Sequence, residues 1–375
     1  MNSTRETGRA ARRGTFGRVL LRLHLDAPLL AGVAGILTFA TFVLYSASGQ
    51  SMPLMMAHAG KVAAALAALL IAAQIDPVWM RRGAPWLYAV GLGLLALVLV
   101  TGDIAKGGQR WLDFGIRFQP SEIMKLAVPL TLARLLHDRP LPPSFLMIAA
   151  SLMVIGVPAG MIAVQPDLGT AVLIVLTGAT VMFLAGLRLR YILGAAALAL
   201  ASLPALWMVM HDYQRKRVLT LLDPDSDPLG AGYHIIQSKI ALGSGGVFGK
   251  GWLNGSQGQL EFLPERSTDF IFAVIGEEFG LLGALALLLL YLFVVGRGLY
   301  IALTAPDTFS RLLAGSLAVT FFFYAFVNSA MVTGLIPVVG VPLPMVSAGG
   351  TSMLTLMAGF GILMSIQTHP KLVTR

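Results

Sequence analysis

The sequence contains no cysteine, only six histidines, and charged residues at just 12% of its 375 positions. Without thiols there are no disulfides, no thiol nucleophile and no iron–sulfur ligation. The histidines are scattered and no pair has metal-ligand spacing, so a structural zinc site is not expected. The charge content lies far below the roughly 25% of a soluble domain. Together with 56% hydrophobic residues, it assigns the chain to a membrane. The sequence also lacks a convincing internal repeat and any low-complexity linker, which points to one membrane domain.

Apolar runs fill most of the length, many of them close to the roughly 20 residues that a spanning helix needs. They fall at 28–47, 55–75, 85–102, 120–136, 144–163, 170–186, 191–210, 269–296, 309–333 and 347–367. The reading is an all-α polytopic membrane protein of about ten transmembrane helices. A basic cytoplasmic tail covers 1–27, the membrane domain 28–367 and a short cytoplasmic tail 368–375. Six arginines lie between Arg5 and Arg22, and further pairs follow at Arg81 and Arg82, Arg134 and Arg139, and Arg188 and Arg190. Placing these pairs inside satisfies the positive-inside rule and puts both termini in the cytoplasm. The net charge of +9 then reflects topology and attraction to anionic lipid head groups, not nucleic acid. The arginine-rich start imitates a signal peptide, but no small-residue cleavage site follows, so it is expected to be retained.

The remaining basic residues concentrate in two outer segments. The larger, 211–268, forms a long extracytoplasmic loop between helices seven and eight, and a loop of that length is rarely passive. It holds "QRKR" (214–217), with Arg215, Lys216 and Arg217, then Lys239 on the helically spaced "GYHIIQSKIAL". Glycines at 243, 245, 246, 249 and 251 would let backbone approach a ligand closely. The second segment, "GGQRWLDFGIRFQPSE" (107–122), sets Arg110, Asp113 and Arg117 around Trp111. It feeds a span that begins with Glu122 and Lys125, which share a helix face about 4.5 Å apart along the axis. Ionisable groups at that depth are costly unless paired or facing water, so the two form a self-satisfied ion pair or line a cavity that opens outward. Asp167 in "QPDLGT" lies between two spans, and "GLIPVVGVPLPMVSAGGTS" (334–352) breaks the backbone near another. Such broken backbone is tolerated at membrane depth only beside protein or water. Asp269 opens the eighth span, with Glu277 and Glu278 further along it, the latter two suited to internal hydrogen bonding. Asp269, Ala273, Gly276 and Gly280 also make a small-residue stripe that permits close packing.

Carboxylates and cations converging on the outer face suit a substrate with a phosphate-bearing head group and an apolar tail. Glycosyl transfer from a lipid diphosphate needs cationic stabilisation of the leaving group and one general base for the attacking hydroxyl. Asp269 is a candidate base, with Arg110, Arg215, Lys216, Arg217 and Lys239 as a pool of diphosphate contacts. No metal-ligand motif is visible, although carboxylates and diphosphate oxygens can share Mg²⁺ or Mn²⁺.

Five stretches carry a more specific likeness: "RWLDFGIRFQPSEIMKLAVP" (110–129), "QPDLGTA" (165–171), "LDPDSDPLGAGYHIIQSKIALGSGGVFGKGW" (222–252), "FLPERSTDFIFAVIGEEFG" (262–280) and "MAGFGILMSI" (357–366). The chain resembles the SEDS family of bacterial shape, elongation, division and sporulation proteins. The "QSKIALGSGG" and "FLPERSTDF" forms favour its RodA branch over the FtsW branch. One departure is Ala348 in "VSAGGTS", where relatives usually carry tyrosine. The resemblance implies a ten-helix inner-membrane peptidoglycan glycosyltransferase that polymerises lipid II at the outer face. It also implies a class B penicillin-binding protein as transpeptidase partner, within the elongation machinery. The family's catalytic aspartate matches Asp269, and its buried glutamate–lysine pair matches Glu122 and Lys125. A lipid II flippase is the alternative of a different class, since intramembrane charges and broken segments also mark transporters. A scaffold that only localises synthetic enzymes is a third.

Overall fold

A computed structural model describes residues 19–20, 22–105, 108–113, 117–210, 212–226, 230–260 and 262–369. Most of both predicted tails, and Arg117 apart from its backbone, therefore lie outside the description.

The chain is built almost wholly of helices. The first three are α1 (Ala27–Ala47), α2 (Met52–Gln74) and α3 (Pro77–Thr101), followed after a short sheet by α4 (Ser121–His137), α5 (Phe145–Val164), α6 (Leu168–Leu184) and α7 (Leu189–Val209). The 211–268 segment contains α8 (Asp212–Leu222), a 3-10 turn at Pro224–Ser226, α9 (Ala231–Gly245) and the short α10 (Ser256–Gln259). The last three are α11 (Ile271–Thr304), α12 (Thr308–Val332) and α13 (Gly350–Thr368). Among the described residues seven helices, α1, α2, α3, α5, α11, α12 and α13, are long and apolar enough to cross a membrane, and α6 is a shorter apolar helix. The predicted span at 85–102 is preceded by eight further helical residues, because Asp76 caps α3 at Val78 N (2.7 Å) and Pro77 starts it. Aspartates cap three more: Asp26 on α1, Asp167 on α6 and Asp307 on α12.

A sheet interrupts the all-helical reading. Strands β1 (Asp103–Ala105), β2 (Gly108–Asp113) and β3 (Arg117–Phe118) pair antiparallel in the order β1-β2-β3 between α3 and α4. They are too short for a period to show in the sequence, yet they fix where Arg110 and Trp111 lie.

The predicted eighth span is two pieces. At Gly280 the backbone turns to φ 65° and ψ −162°, a region that favours glycine. Residues 281–304 alone, at roughly 1.5 Å per residue, can cross a bilayer. Residues 271–280, apart from the half-buried Phe279, form a buried half-helix. The glycine-rich segment 243–251 packs on this break. Lys250 N donates to Glu277 O (2.9 Å), Gly251 N to Glu278 O (3.0 Å), and Leu281 N to Gly246 O (3.0 Å). A Cβ at Gly245 would collide with the Gly276 carbonyl, and one at Gly249 with that of Glu278. Here these glycines admit another stretch of backbone, the close approach expected of them for a ligand.

The two pieces are anchored differently. Arg297 makes a bidentate bridge to Asp26 (2.9 and 2.6 Å), which ties the long piece of α11 to the start of α1. Glu277, fully buried, accepts from Lys250 Nζ (2.7 Å), Ser256 Oγ (3.1 Å), Gln257 N (2.9 Å) and Gly258 N (3.2 Å). Glu278 accepts from Ser46 Oγ on α1. Glu277 thus holds the 250–258 loop onto the half-helix, and Glu278 ties the half-helix to α1.

Candidate functional site

Arg110, Trp111, Glu122, Lys125, Asp167 and Asp269 line one cavity of about 240 Å³. They come from β2, the first turns of α4, the turn before α6, and the turn before α11, segments spread over 160 residues of sequence. Arg215, Arg217 and Lys239 are not on its wall. Arg215 donates to the Trp207 (2.9 Å) and Met208 (2.8 Å) carbonyls at the end of α7, a helix C-terminus where a cation is favourable. Lys239 is exposed on α9 and lies against Gly334.

Within the cavity most charges are committed. Lys125 Nζ donates to Glu122 Oε1 at 2.6 Å, with both side chains buried, and lies 4.9 Å from the centre of the Tyr324 ring. The other Glu122 oxygen has no hydrogen-bond partner. Asp167 accepts from Thr170 N (3.2 Å) and Gln119 Nε2 (2.9 Å), and Arg110 Nη1 stands 3.8 Å from it. Arg110 is held in turn by the carbonyls of Gln165 (Nε, 3.3 Å) and Pro166. Gln165 is itself fixed by donating to Leu95 O at 3.1 Å. The self-satisfied ion pair and the cavity-lining pair, posed as alternatives for Glu122 and Lys125, are both present.

Asp269 is half-buried at the wall, directly before Phe270, the N-cap residue of α11, and no side chain caps that helix. Its backbone is clamped from two sides. Asn328 of α12, fully buried, donates to Asp269 O (2.8 Å) and to Val341 O (2.7 Å). Ser347 Oγ donates to Thr268 O (2.6 Å), and Ala348 N to Ser267 O (2.9 Å). The broken 334–349 connection therefore lies alongside the turn that presents Asp269, and Gly340 sits close to its carboxylate. Across Phe270, His234 of α9 stacks with ring centroids 5.4 Å apart. Burial lowers its pKa against the opposing pull of Glu265, which favours a neutral ring there.

Sequence reasoning missed Tyr324, Thr170, Gly340, Thr351 and Ser352, all on the cavity wall. Tyr324 sits inside an apolar run, and Thr170 ends the quoted "QPDLGT" motif, of which only Asp167 was singled out. Thr351 and Ser352 fall in a motif that was quoted, but nothing in their spacing shows that they face Asp269. Among the described residues no three His, Asp or Glu side chains are grouped as metal ligands.

Four helices begin at this wall: α4 at Gln119–Glu122, α6 at Asp167–Thr170, α11 at Thr268–Asp269 and α13 at Gly349–Ser352. Helix N-termini carry partial positive charge, which favours the carboxylates of Glu122, Asp167 and Asp269 at three of these four starts.

The comparisons with known proteins agree with this architecture. A peptidoglycan glycosyltransferase MrdB of Escherichia coli K12 is 53% identical over 94% of this chain and 96% of its own length. A probable peptidoglycan glycosyltransferase FtsW of Trichlorobacter lovleyi is 38% identical over 92% of this chain and 94% of its own. Among solved structures, a chain from a peptidoglycan synthase complex that coordinates polymerization and crosslinking superposes with a TM-score of 0.80. It is 34% identical and covers 91% of this chain and 97% of its own. The rod shape determining protein RodA of Thermus thermophilus gives 0.69 at 29% identity, over 90% and 95%. The family model of the FtsW, RodA and SpoVE cell cycle proteins matches residues 19–372, and the chain belongs to that family.

Proposed function

We infer that this protein is a peptidoglycan glycosyltransferase of the bacterial inner membrane that polymerises lipid II, an undecaprenyl-diphosphate-linked disaccharide pentapeptide, with Asp269 as general base. The observation that carries this reading is the convergence of Asp269, Arg110 and Lys125 on one cavity walled by helix N-termini. The relatives' names and the superposition on a peptidoglycan synthase complex support the reaction class. In the reaction, the bond between the donor's anomeric carbon and its diphosphate oxygen breaks, and the electron pair leaves on that oxygen. The acceptor sugar's hydroxyl oxygen forms the new bond from the opposite face, and its proton passes to the Asp269 carboxylate. A general base within hydrogen-bond reach contributes typically about 10²–10⁴-fold, and positive groups aimed at the developing charge on the diphosphate contribute further. The Glu122–Lys125 pair places a fixed cation in a dry part of the wall without leaving it unpaired.

The topology that serves this chemistry has ten spans, with α4, α6 and α7 joining the seven long apolar helices. Both tails are cytoplasmic, and the 211–268 segment faces outward between the seventh and eighth spans. The polar half of the substrate then meets the cavity at the outer face while its polyprenyl tail stays in lipid. A class B penicillin-binding protein is the partner that crosslinks the product within the elongation machinery.

Purified protein supplied with labelled lipid II in detergent tests this reading against a flippase. Detergent removes the two compartments that a flippase needs, so the expected result is glycan polymer. Intact substrate at long times, with the partner present, would contradict it.

A further inference from the structure

This inference rests on the proposed reading that Asp269 is the general base, and it concerns what holds that base in place. The stretch "FFFYAFVNSAMV" (321–332) of α12 is apolar except at Tyr324, Asn328 and Ser329, and Asn328 is fully buried. An amide taken out of water is costly unless its hydrogens find acceptors. Those of Asn328 do, and on two separate segments: Nδ2 donates to Asp269 O at 2.8 Å and to Val341 O at 2.7 Å. The reversed amide would turn Oδ1 against two carbonyl oxygens, so these bonds fix its orientation. Asn328 is not on the cavity wall, whereas Asp269 and Val341 both are.

The peptide that Asn328 grips is held on its other side as well, where Phe270 N donates to Glu265 O (3.3 Å). With its oxygen tied to α12 and its N–H tied to the preceding turn, this peptide cannot rotate freely, and the start of the Asp269 side chain is set with it. The second bond of the amide fixes the neighbouring wall. Val341 follows Gly340, where an added Cβ would come 3.6 Å from Asp269 Oδ2, so one side chain sets the gap between the carboxylate and the 340–342 backbone. A further observation argues against plain packing. Asn328 Oδ1 is buried and, among the described residues, has no hydrogen-bond partner. An amide that leaves its own oxygen unsatisfied is a poor choice for filling space; its use lies in its two donors.

We propose that Asn328 is a positioning residue for the polymerisation reaction. It acts through Asp269, holding the carboxylate where the acceptor hydroxyl arrives and keeping the 340–342 backbone at a set distance from it, and it touches neither the substrate nor the transferred proton. Ser347 seconds it from the same connection, its Oγ donating to Thr268 O (2.6 Å) while accepting from Leu343 N (2.8 Å). A displacement of a reacting group by about 1 Å can cost about 10²-fold in rate. Loosening the support of the base therefore lowers the rate while the contacts that bind substrate stay.

The test is steady-state turnover of labelled lipid II by the purified full-length chain with its transpeptidase partner, alongside thermal unfolding. Asn328→Leu is close in size and removes both donors. Its kcat per folded molecule should fall about 10- to 100-fold. Its KM should stay within about threefold of wild type, since a loss confined to kcat marks an interaction used on the way to the transition state. Glu277→Ala is the control for a merely structural loss: it should lower the melting temperature and leave kcat near wild type. Should Asn328→Leu not fold, Asn328→Ala leaves room for water to bond both carbonyls without tying them to α12, and it carries the same expectation. Unchanged kcat in a folded variant, a loss that appears in KM instead, or failure of both variants to fold would each overturn the proposal. Asp269→Asn separates it from the reading on which it rests. Polymerisation that survives Asp269→Asn would remove the base, and with it the route through which Asn328 acts. Polymerisation lost in Asp269→Asn but kept in Asn328→Leu would remove the positioning role alone.

Discussion

Asp269 stands just before a buried half-helix and Glu277 lies within it, yet their surroundings differ in kind. Glu277 is fully buried and accepts four hydrogen bonds from residues 250–258, one of them from the Lys250 ammonium at 2.7 Å. Asp269 stands half-buried at the wall of a 240 Å³ cavity, its backbone carbonyl held by Asn328 and its carboxylate beside Gly340. A carboxylate whose lone pairs are filled by its own chain is a structural clasp. Asp269 instead shares its cavity wall with Arg110, Glu122, Lys125 and Asp167, and in the proposed reading it takes the acceptor's proton. What separates the two is the cavity beside Asp269 and the 250–258 loop closed over Glu277.

The comparison breaks most sharply at Asp269. Asp269→Asn should lower polymerisation by about 10²–10⁴-fold, the worth of a general base, at an unchanged melting temperature. Side-by-side turnover and thermal unfolding of the purified protein check both halves of that expectation.

Next comes the Glu122–Lys125 pair, which stands between the two extremes because it is buried and also lines the cavity. Removing one partner of a buried pair can cost roughly 3–5 kcal/mol. Glu122→Ala and Lys125→Ala should each impair activity, and the double variant should be clearly less than additive. A double-variant cycle on polymer yield measures the coupling, and additive losses would assign the two residues separate roles.

Glu277→Ala should act on stability instead. It strips partners from Lys250, Ser256 and two backbone N–H groups, at a cost of about 2–4 kcal/mol after allowing for the partly solvated Lys250. Thermal unfolding should show the loss, while activity per folded molecule stays near wild type. Selective loss of turnover at full stability would place Glu277 with Asp269 after all.

The smallest effect is expected at Arg215. As a contact to the end of α7 it should contribute less than about 1 kcal/mol, and Arg215→Ala should change lipid II turnover by no more than a few-fold. A loss comparable to that at Asp269 would return the basic 214–217 run to the substrate.

Much of this was legible in the sequence, and the reasons are local. Long apolar runs locate spanning helices because a bilayer sets a minimum length. Glu122, Lys125, Asp167 and Asp269 stood out because an ionisable group beside an apolar segment demands an explanation. Gly280 was read as part of a packing stripe, since the apolar run continues through it and a positive φ leaves no mark on composition. Asn328 and Tyr324 were hidden inside α12, where one polar group in an apolar helix resembles ordinary packing. Arg215 and Arg110 look alike on paper. Only the fold shows that one caps a helix end and the other lines the cavity.

The most direct measurement is an experimental structure of the Asp269→Asn variant with lipid II bound, since that variant should hold the substrate without turning it over. The account predicts the acceptor sugar hydroxyl within about 2.6–3.2 Å of the side chain at position 269, with the diphosphate inside the same cavity. Lipid II bound along the 214–217 run, with the cavity empty, would contradict it.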